Sequence, residues 1–364
     1  HPRANWGVHG SGADSVLRDV YRPLISQQKA YHLTMKRGAL GADLASLAGF
    51  FSSPWSAVVP SITGEDRAWV LNAVGFDLRA LGLTRESLAP VHAALKVRLD
   101  LESWGEAAHS AGDLSEIHLC LGEIGRAVDF AQRSVEYADR SDNAWRRCSR
   151  RITRVDALHQ AGRHDEAERA FRDAETLRRR LKQPPFYSLH HDRHCDLLLD
   201  RGAADAVIAQ AQKRLAKVRP THWLVDVAHD HLALGRAQLA LSSAGSASAS
   251  LLARRHLREA VERLRRAGVQ EYIARGLIAR AEFHSFAGEF ADASRDLSEA
   301  RSLSARCGLR LHEADAHIQW TRLHLAQVNL AEARASFELA RGLVRATGYG
   351  RRDAEIARLE AALG

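Results

Sequence analysis

Apolar and small residues recur along this chain at helical spacing, and the helical pattern itself returns every 40 residues. A short turn inside each unit marks the period, and one interval between turns is 46 residues long instead of 40. The marker residues are Gly82, Gly122, Gly162, Gly202, Ser242, Gly288 and Val328. A nearly constant period of this size is typical of a solenoid built from stacked helix pairs.

Within each unit, small residues fall where two helices would touch, and a bulky residue falls where neighbouring pairs would pack. This is the pattern of a tetratricopeptide repeat. The third unit shows it most clearly, with Leu158, Gly162, Ala167, Phe171 and Ala174. The sequence therefore predicts an all-α fold, an α–α superhelix of about seven tetratricopeptide-like units.

The same pattern predicts the organisation of the chain. Pro23 lies within the first predicted helix, residues 14–34, and Thr63 with Asp66 resembles a capping box before the first repeat. The extra residues of the long interval fall in a Ser/Ala/Gly-rich stretch that predicts a flexible loop. The expected boundaries are a flexible leader at 1–13, an N-terminal helical segment at 14–63, a repeat array at 64–350 with its insertion at 242–250, and a capping helix at 351–364.

Charge alone would suggest a nucleic-acid partner, because the net charge is +8 and the pI is about 9.6. However, only six of the 52 basic residues are lysine, and such an arginine bias is typical of a high-GC genome. We therefore do not expect nucleic-acid binding. Arginine clusters such as Arg178–Arg180 are interpreted as a solvated outer surface, with an anionic partner as the alternative.

The cysteines and the termini bear on the compartment. Cys120, Cys148, Cys195 and Cys307 lie far apart without a CxxC pair, which indicates reduced and mostly buried thiols in a cytoplasmic protein. No apolar run has the length of a membrane span, so no membrane partner is expected. The chain begins with His1-Pro2 and its single methionine is Met35, so we expect a fragment of a longer protein.

Candidate chemistry is sparse. His191 and Cys195 have a usable zinc spacing on a helix, but Cys195 occupies a small-residue position that should be buried. No G-x-S-x-G segment and no cysteine–histidine signature occurs. We therefore expect no metal, no cofactor and no catalytic residue.

The first helix of each unit should instead line a concave groove. Its ninth position reads mostly acidic in a basic molecule, so we hypothesise that the groove binds a cationic or extended polypeptide, with Asp156, Asp192 and Asp196 as charge partners. The alternative is that these are ordinary solvated charges. The predicted groove residues are Glu116, Asp156, His159, Asp192, Asp196, His229, Arg236, Glu282 and Arg322.

Several stretches carry more than a generic repeat signal. Among them are Ala39–Phe51 followed by Pro54-Trp55, Cys195–Leu199, Arg275–Ala281 and Tyr349–Asp353. Together with Val70–Asn72, Gly75–Gly82 and Asp156–Gly162, they resemble the carboxy-terminal tetratricopeptide region of bacterial STAND signal-transduction ATPases, which are related to NACHT and NB-ARC proteins. The resemblance extends from about Val16 to Ala354.

The resemblance implies a sensor that holds a neighbouring NTPase domain inactive until a protein or peptide ligand binds, after which the protein self-oligomerises. This chain contains no G-x-x-x-x-G-K-[ST] segment, so the phosphate-binding loop of such an ATPase is not part of it. Two other functions stay open: a standalone scaffold or adaptor, and a regulator of transcription that responds to a peptide or metabolite.

Overall fold

The computed structural model describes residues 12–26, 34, 38–183, 189–218, 223–243 and 245–364. Most of the predicted leader, and residues 27–33 of the first predicted helix, lie outside these ranges. The N-terminal segment begins with α1 (Ala13–Ser15), which continues into a π-helical stretch, Val16–Ser26, that contains Pro23. α2 (Leu40–Leu47) follows and ends in a 3₁₀ turn at Ala48–Phe50.

A short antiparallel hairpin then replaces the loop expected at residues 55–60. Its strands are β1 (Phe51–Ser53) and β2 (Ala57–Val58). Phe51 and Trp55 pack edge to face across it, with ring centroids 5.5 Å apart. Thr63 stands at the N-cap of the next helix, but its side chain makes no capping hydrogen bond, so the predicted capping box does not form.

In the part of the array that the structure describes, seven helix pairs follow, which confirms the predicted all-α superhelix. Units 1 to 7 are, in order, α3 (Gly64–Ala80) with α4 (Leu88–Asp100), α5 (Trp104–Cys120) with α6 (Ile124–Asp139), α7 (Ala144–Gln160) with α8 (His164–Arg180), α9 (Leu189–Asp200) with α10 (Ala204–Leu215), α11 (Leu224–Ser243) with α12 (Ala247–Ala267), α13 (Gln270–Phe286) with α14 (Phe290–Cys307), and α15 (Arg310–Ala326) with α16 (Leu330–Thr347).

The small residues of the repeat pattern lie where helices meet. Ala167 and Ala174 of unit 3 are fully buried, as are Ala293 and Ala300 of unit 6. A Cβ atom on Gly235 would lie 2.6 Å from the Cγ of Leu257, so the glycine allows α11 and α12 to approach closely. The first helices face the inside of the superhelix and the second helices form its outer layer.

The long unit differs from the prediction. Ser242 lies inside α11, and the residue with positive φ at this turn is Gly245. Ser242 and Ser243 end α11, while Ala247–Ser250 begin α12, so helix takes up most of the expected loop 242–250. Ala is a strong helix former, and both helices gain buried contacts by extending.

The turns and the links of the units form two rows. We call the row of intra-unit turns, Gly82, Gly122, Gly162, Gly202, Gly245, Gly288 and Val328, the turn edge. The row of connections between successive units, which includes Gly268, Gly308 and Gly348, is the link edge.

The superhelix coils back on itself, because the turn edge of units 1–3 packs against the link edge of later units. A Cβ on Gly82 would meet Cys307 of unit 6, and one on Gly122 would meet Arg310 and Thr347 of unit 7. Thr84 donates a hydrogen bond to the Cys307 carbonyl at 2.8 Å. Buried side chains of both halves, such as Leu119 and Ile318, share one core.

The chain ends with a 3₁₀ turn, Gly350–Arg352, and α17 (Asp353–Leu363). These elements continue the array as the first helix of an eighth unit. Ile356 and Leu359 of α17 are buried against unit 7. Gly350 lies against Gly162, so the same segment also contacts unit 3.

Candidate functional site

The inside of the coil holds a cavity of about 530 Å³. Seven carboxylates and six guanidinium groups line it, together with apolar residues such as Leu311 and Ile318. The charged residues are Asp156, Asp196, Asp200, Glu271, Glu282, Asp315 and Glu355, with Arg236, Arg275, Arg322, Arg351, Arg352 and Arg358. The wall is therefore strongly polar and close to neutral, whereas the molecule as a whole is basic.

The predicted groove residues come together in and around this cavity. Five of them line it: Asp156, Asp196, Arg236, Glu282 and Arg322. The other four, Glu116, His159, Asp192 and His229, are buried next to it. The charges face the inside of the coil, and the protein's own arginines already contact most of the carboxylates.

Glu116 of α5 lies between two arginines. Arg79 and Arg193 each approach one of its carboxylate oxygens to 2.6 Å. Burial alone would raise the pKa of Glu116, but Arg193 and Arg79 outweigh it and hold the pKa below its ordinary value. Arg193 Nε also lies 2.9 Å from Asp156, so one arginine links two of the predicted residues.

Asp192 and Asp196, one turn apart on α9, share an arginine from α13. The two terminal nitrogens of Arg275 lie 2.6 and 3.2 Å from the Asp192 oxygens. The second also approaches Asp196 to 2.8 Å. Since these residues are about 80 positions apart in the sequence, the contact joins unit 4 to unit 6 across the inside of the coil.

Asp196 collects guanidinium groups from three parts of the chain. Besides Arg275, it contacts Arg236 of α11, and Arg351 of the C-terminal segment lies 3.5 Å away. Burial would raise the pKa of this carboxyl, but the three arginines hold it well below its ordinary value. Asp196 is therefore ionised, and removing one of its partners leaves an under-compensated buried charge.

Arg351 also closes the coil through Asp200. Its Nε lies 2.6 Å from one Asp200 oxygen, and a terminal nitrogen lies 3.0 Å from the other, which is bidentate geometry. His159 Nε2 lies 2.9 Å from the same carboxylate. Burial opposes ionisation of Asp200, yet Arg351 and His159 hold its pKa below the ordinary value.

The remaining predicted residues have simpler surroundings. His229 Nδ1 lies 3.4 Å from Asp192, and its ring packs edge to face on Tyr272. Arg322 lies 3.2 Å from Glu282, the residue 40 positions earlier. Its other terminal nitrogen lies 2.5 Å from Glu355 of α17. Units 6 and 7 and the C-terminal helix are thereby connected at the half-exposed end of the cavity.

Sequence reasoning missed the arginines that neutralise the predicted carboxylates, namely Arg79, Arg193, Arg275 and Arg351. A signal for three of them was present. Arg79, Arg275 and Arg351 lie in the stretches Gly75–Gly82, Arg275–Ala281 and Tyr349–Asp353, which carry the resemblance to sensor repeats. Asp196 lies in a fourth such stretch, and Arg275 and Arg351 pair with it across the cavity.

The thiol that lines the cavity belongs to Cys120. Burial, together with the neighbouring Glu271 carboxylate, raises the pKa of Cys120 well above its ordinary value. The thiol is therefore protonated and a weak nucleophile at neutral pH. All four cysteines are free and buried.

The candidate metal ligands are buried or engaged by other groups where the structure describes them. Cys195 is buried, and the ring of His194 stacks on Phe171 at 3.7 Å, while the side chain of His191 lies outside the described part. His284, Glu289 and Asp292 also lie close together. There, His284 and Arg254 already bind the Glu289 carboxylate, at 2.7 and 2.6 Å.

None of the helices in the described ranges combines the length and the apolar composition that crossing a bilayer requires.

Comparison with known proteins gives little further information. No protein-family model matches the chain, and no curated protein matches it. Among solved structures, the chain is similar to the crystal structure of Rap protein complexed with Competence and Sporulation Factor. That match has 12% sequence identity and a TM-score of 0.38, and covers 82% of this chain and 73% of the other. A likeness of this degree carries no information about function.

Proposed function

We propose that this chain is a non-catalytic sensor module that binds a cationic, extended segment of a protein or peptide in its central cavity. The observation that carries the proposal is the set of arginines around Asp196. Three guanidinium groups, from unit 5, unit 6 and the C-terminal segment, surround one carboxylate on the cavity wall. They occupy the positions that the side chains of a cationic ligand would take.

The ligand-free state is, on this proposal, held closed by its own cations. Among the described residues, two of these arginines come from parts of the chain after unit 5. Arg275 pairs with Asp192 and Asp196, and Arg351 contacts Asp196 and Asp200. A ligand that supplies a guanidinium or ammonium group to Asp196 and Asp200 releases Arg351. The released C-terminal segment then no longer holds unit 3 against the end of the array.

Such competition makes the module a two-state switch. A ligand shifts the equilibrium only by its difference in affinity for the closed and open coils. A nearly complete shift needs about 5.5 kcal/mol of differential binding. Close charge pairs at an interface have coupling energies of about 1.5–7 kcal/mol, so two or three ligand contacts that only the open coil makes give a difference of the right size.

The wider setting is the one implied by the sequence resemblance. We propose that the module regulates a neighbouring NTPase domain of a STAND-type signalling ATPase, and that opening of the coil relieves the inhibition. Each unit contacts its neighbours, so a change at the C-terminal segment can alter curvature along the array. The alternative without a switch, a scaffold or adaptor, needs the cavity for binding but does not need Arg351 to move.

The test is isothermal titration calorimetry with a synthetic peptide of alternating Arg and Ser, and a Glu-Ser peptide as the charge control. We expect binding of the Arg-Ser peptide only. Arg351→Ala should tighten that binding by about tenfold, or about 1.4 kcal/mol, because two carboxylates lose their internal partner. Asp196→Asn should weaken it. Asparagine is used because an arginine at this position would add a fourth cation to a buried site.

The matched control is Arg254→Ala, which removes an exposed arginine from its pair with Glu289 and should leave peptide binding unchanged. Equal binding of both peptides, or an Arg351→Ala variant that binds no more tightly than the parent chain, would rule out competition with internal cations. An affinity that is unchanged by Arg351→Ala but lost in Asp196→Asn would favour the scaffold.

A further inference from the structure

The coil closes through a regular contact between units that are five positions apart. The turn of unit 1 (Gly82) lies against Gln270 and Cys307, at the base of unit 6. The turn of unit 2 (Gly122) lies in the same way against Arg310 and Thr347, at the base of unit 7.

The two ends of the contact follow the same rule. Gly162 of unit 3 meets Gly350 at the base of the eighth unit, and Gly38, before unit 1, meets the Arg266 and Ala267 carbonyls at the base of unit 5. Among the described residues, a contact between a glycine of positive φ and the base of a later unit therefore occurs four times in succession, three times on the turn edge and once at Gly38.

The later turns present the same edge without a covering layer. Among the described residues, no neighbouring heavy atom would lie within 4 Å of a Cβ atom added to Gly202, Gly245 or Gly288. Residues two positions before the turn illustrate the difference: Ala80 and Cys120 are 2% exposed, whereas Phe286 in unit 6 is 47% exposed. The turn residue of unit 7, Val328, is 80% exposed.

Large apolar side chains are exposed on this open turn edge in three successive units. They are Leu251 near the start of α12, Phe286, Val328 and Leu330, which follow one another along units 5, 6 and 7. Exposed apolar patches of soluble proteins commonly mark interaction sites.

The opposite edge of the molecule carries a surface that complements the open turn edge at two of its three units. The link edge of units 1–3 is open, and Leu101 and Glu102 are exposed between α4 and α5. Arg179 and Arg180 are exposed at the end of α8, and Glu332 is exposed at the start of α16 on the turn-edge side. Apolar residues at units 1 and 5, and opposite charges at units 3 and 7, can therefore face each other.

We propose that the turn edge of units 5–7 binds the link edge of units 1–3 of a second copy of this chain, so that copies stack head to tail. This contact between molecules is of the same type as the contact that closes the coil within each molecule. It is heterologous, with different surfaces on the two partners, and each added copy leaves one open turn edge and one open link edge. The stack therefore grows with concentration instead of stopping at a closed dimer.

Sedimentation velocity over a concentration series tests the association. We expect the average mass to rise with concentration, and Phe286→Glu with Leu330→Glu to weaken the association at least about tenfold, since a carboxylate would be buried in an apolar contact. Leu339→Glu is the matched control, because Leu339 is 55% exposed but lies within α16, away from both edges. We expect the control to associate like the parent chain.

Cross-linking tests the head-to-tail geometry. Phe286→Cys places a thiol on the open turn edge, and Asp142→Cys places one on the link edge of unit 2. A short bismaleimide should join the two variants when they are mixed and should join neither to itself. A chain that stays monomeric at every concentration, equal weakening by Leu339→Glu, or cross-links within one variant alone would each overturn the proposal. None of these results depends on peptide binding in the cavity.

Discussion

The turn edge of units 1–3 and that of units 5–7 are built from equivalent repeat positions but have opposite surroundings. In the first half, the turns are small residues packed under the end of the array, as Gly162 is under Gly350. In the second half they are exposed, and larger apolar residues such as Phe286 stand beside them. The same type of turn therefore forms an internal contact in units 1–3 and a free surface in units 5–7. Its position along the coil determines whether it is covered.

The largest expected effect comes from breaking the buried network of charges inside the coil, which joins the two halves. Arg275→Ala leaves Asp192 and Asp196 short of a partner in the interior, and we expect it to lower the free energy of unfolding by about 3–5 kcal/mol. Arg265 pairs with Glu299 at the surface, so Arg265→Ala should cost less than about 1 kcal/mol. Urea denaturation of both variants measures the difference, and equal costs would contradict the role given to Arg275.

A glycine pair compares the two halves at matched backbone geometry. Gly162 and Gly288 both have φ near 75°, so alanine at either site costs about 1–2 kcal/mol of backbone strain. A Cβ on Gly162 would also lie 2.7 Å from the Gly350 carbonyl carbon, whereas nothing lies within 4 Å at Gly288. Gly162→Ala should therefore cost about 1–3 kcal/mol more, because the added methyl overpacks the contact.

Amide hydrogen exchange shows which part of the chain is destabilised by the overpacked contact in Gly162→Ala. In Gly162→Ala, the amides of residues 349–363 should exchange faster than in Gly288→Ala, since the C-terminal segment is displaced from unit 3. Equal protection of this segment in the two variants would mean that the contact between Gly162 and Gly350 does not hold the coil closed.

These comparisons show what the repeat pattern can and cannot predict. The period, the helix pairs and buried positions such as Ala174 follow from local spacing, and local spacing repeats in the sequence. The contact between Gly82 and Cys307 depends on a small rotation accumulated over five units, which no single unit encodes. The same limit applies to the site, because Arg275 and Arg351 reach Asp196 only after the coil has closed.

Short-range departures have a different cause. The hairpin at Phe51–Val58 has only a few residues in each strand, too few to give an alternating pattern. In the long unit, Ser and Gly predict a loop, but the alanines between them extend α12 to Ala247. The arrangement of carboxylates on the first helices could be predicted because it recurs every 40 residues, as from Asp156 to Asp196.

Acidification should weaken the fold through His159, which contacts Asp200 beside the contact that closes the coil. Burial and the nearby Arg351 hold the pKa of His159 below its ordinary value, against the opposing effect of Asp200. The unfolded chain therefore takes up a proton at His159 below about pH 6.5, before the folded chain does. Stability should fall from that pH downward until the folded pKa is reached, by at most about 1.4 kcal/mol per pH unit from this residue.

Unfolding experiments at several pH values on the parent chain and His159→Gln isolate this contribution from that of the other histidines. The variant should show a shallower loss of stability between about pH 6.5 and pH 5. Identical pH profiles would show that His159 contributes nothing to the pH dependence.

The smallest effect is expected at the open half. Val328 has φ of 57°, a left-handed conformation that a β-branched residue adopts only under strain. Val328→Gly relieves that strain but adds chain entropy to the unfolded state, so we expect a gain of about 0.5 kcal/mol. Thermal unfolding measures it, and a loss of stability would indicate that Val328 makes a contact essential to the fold.

The most direct test of the closed coil is a distance measurement between unit 3 and the C-terminal helix. Spin labels on cysteines introduced at Arg169 and Ala357, both exposed, report this distance by double electron–electron resonance. We predict one narrow distance distribution for the parent chain and a longer, broader one after Arg351→Ala. A broad distribution in the parent chain, or a narrow one that Arg351→Ala leaves unchanged, would contradict the account.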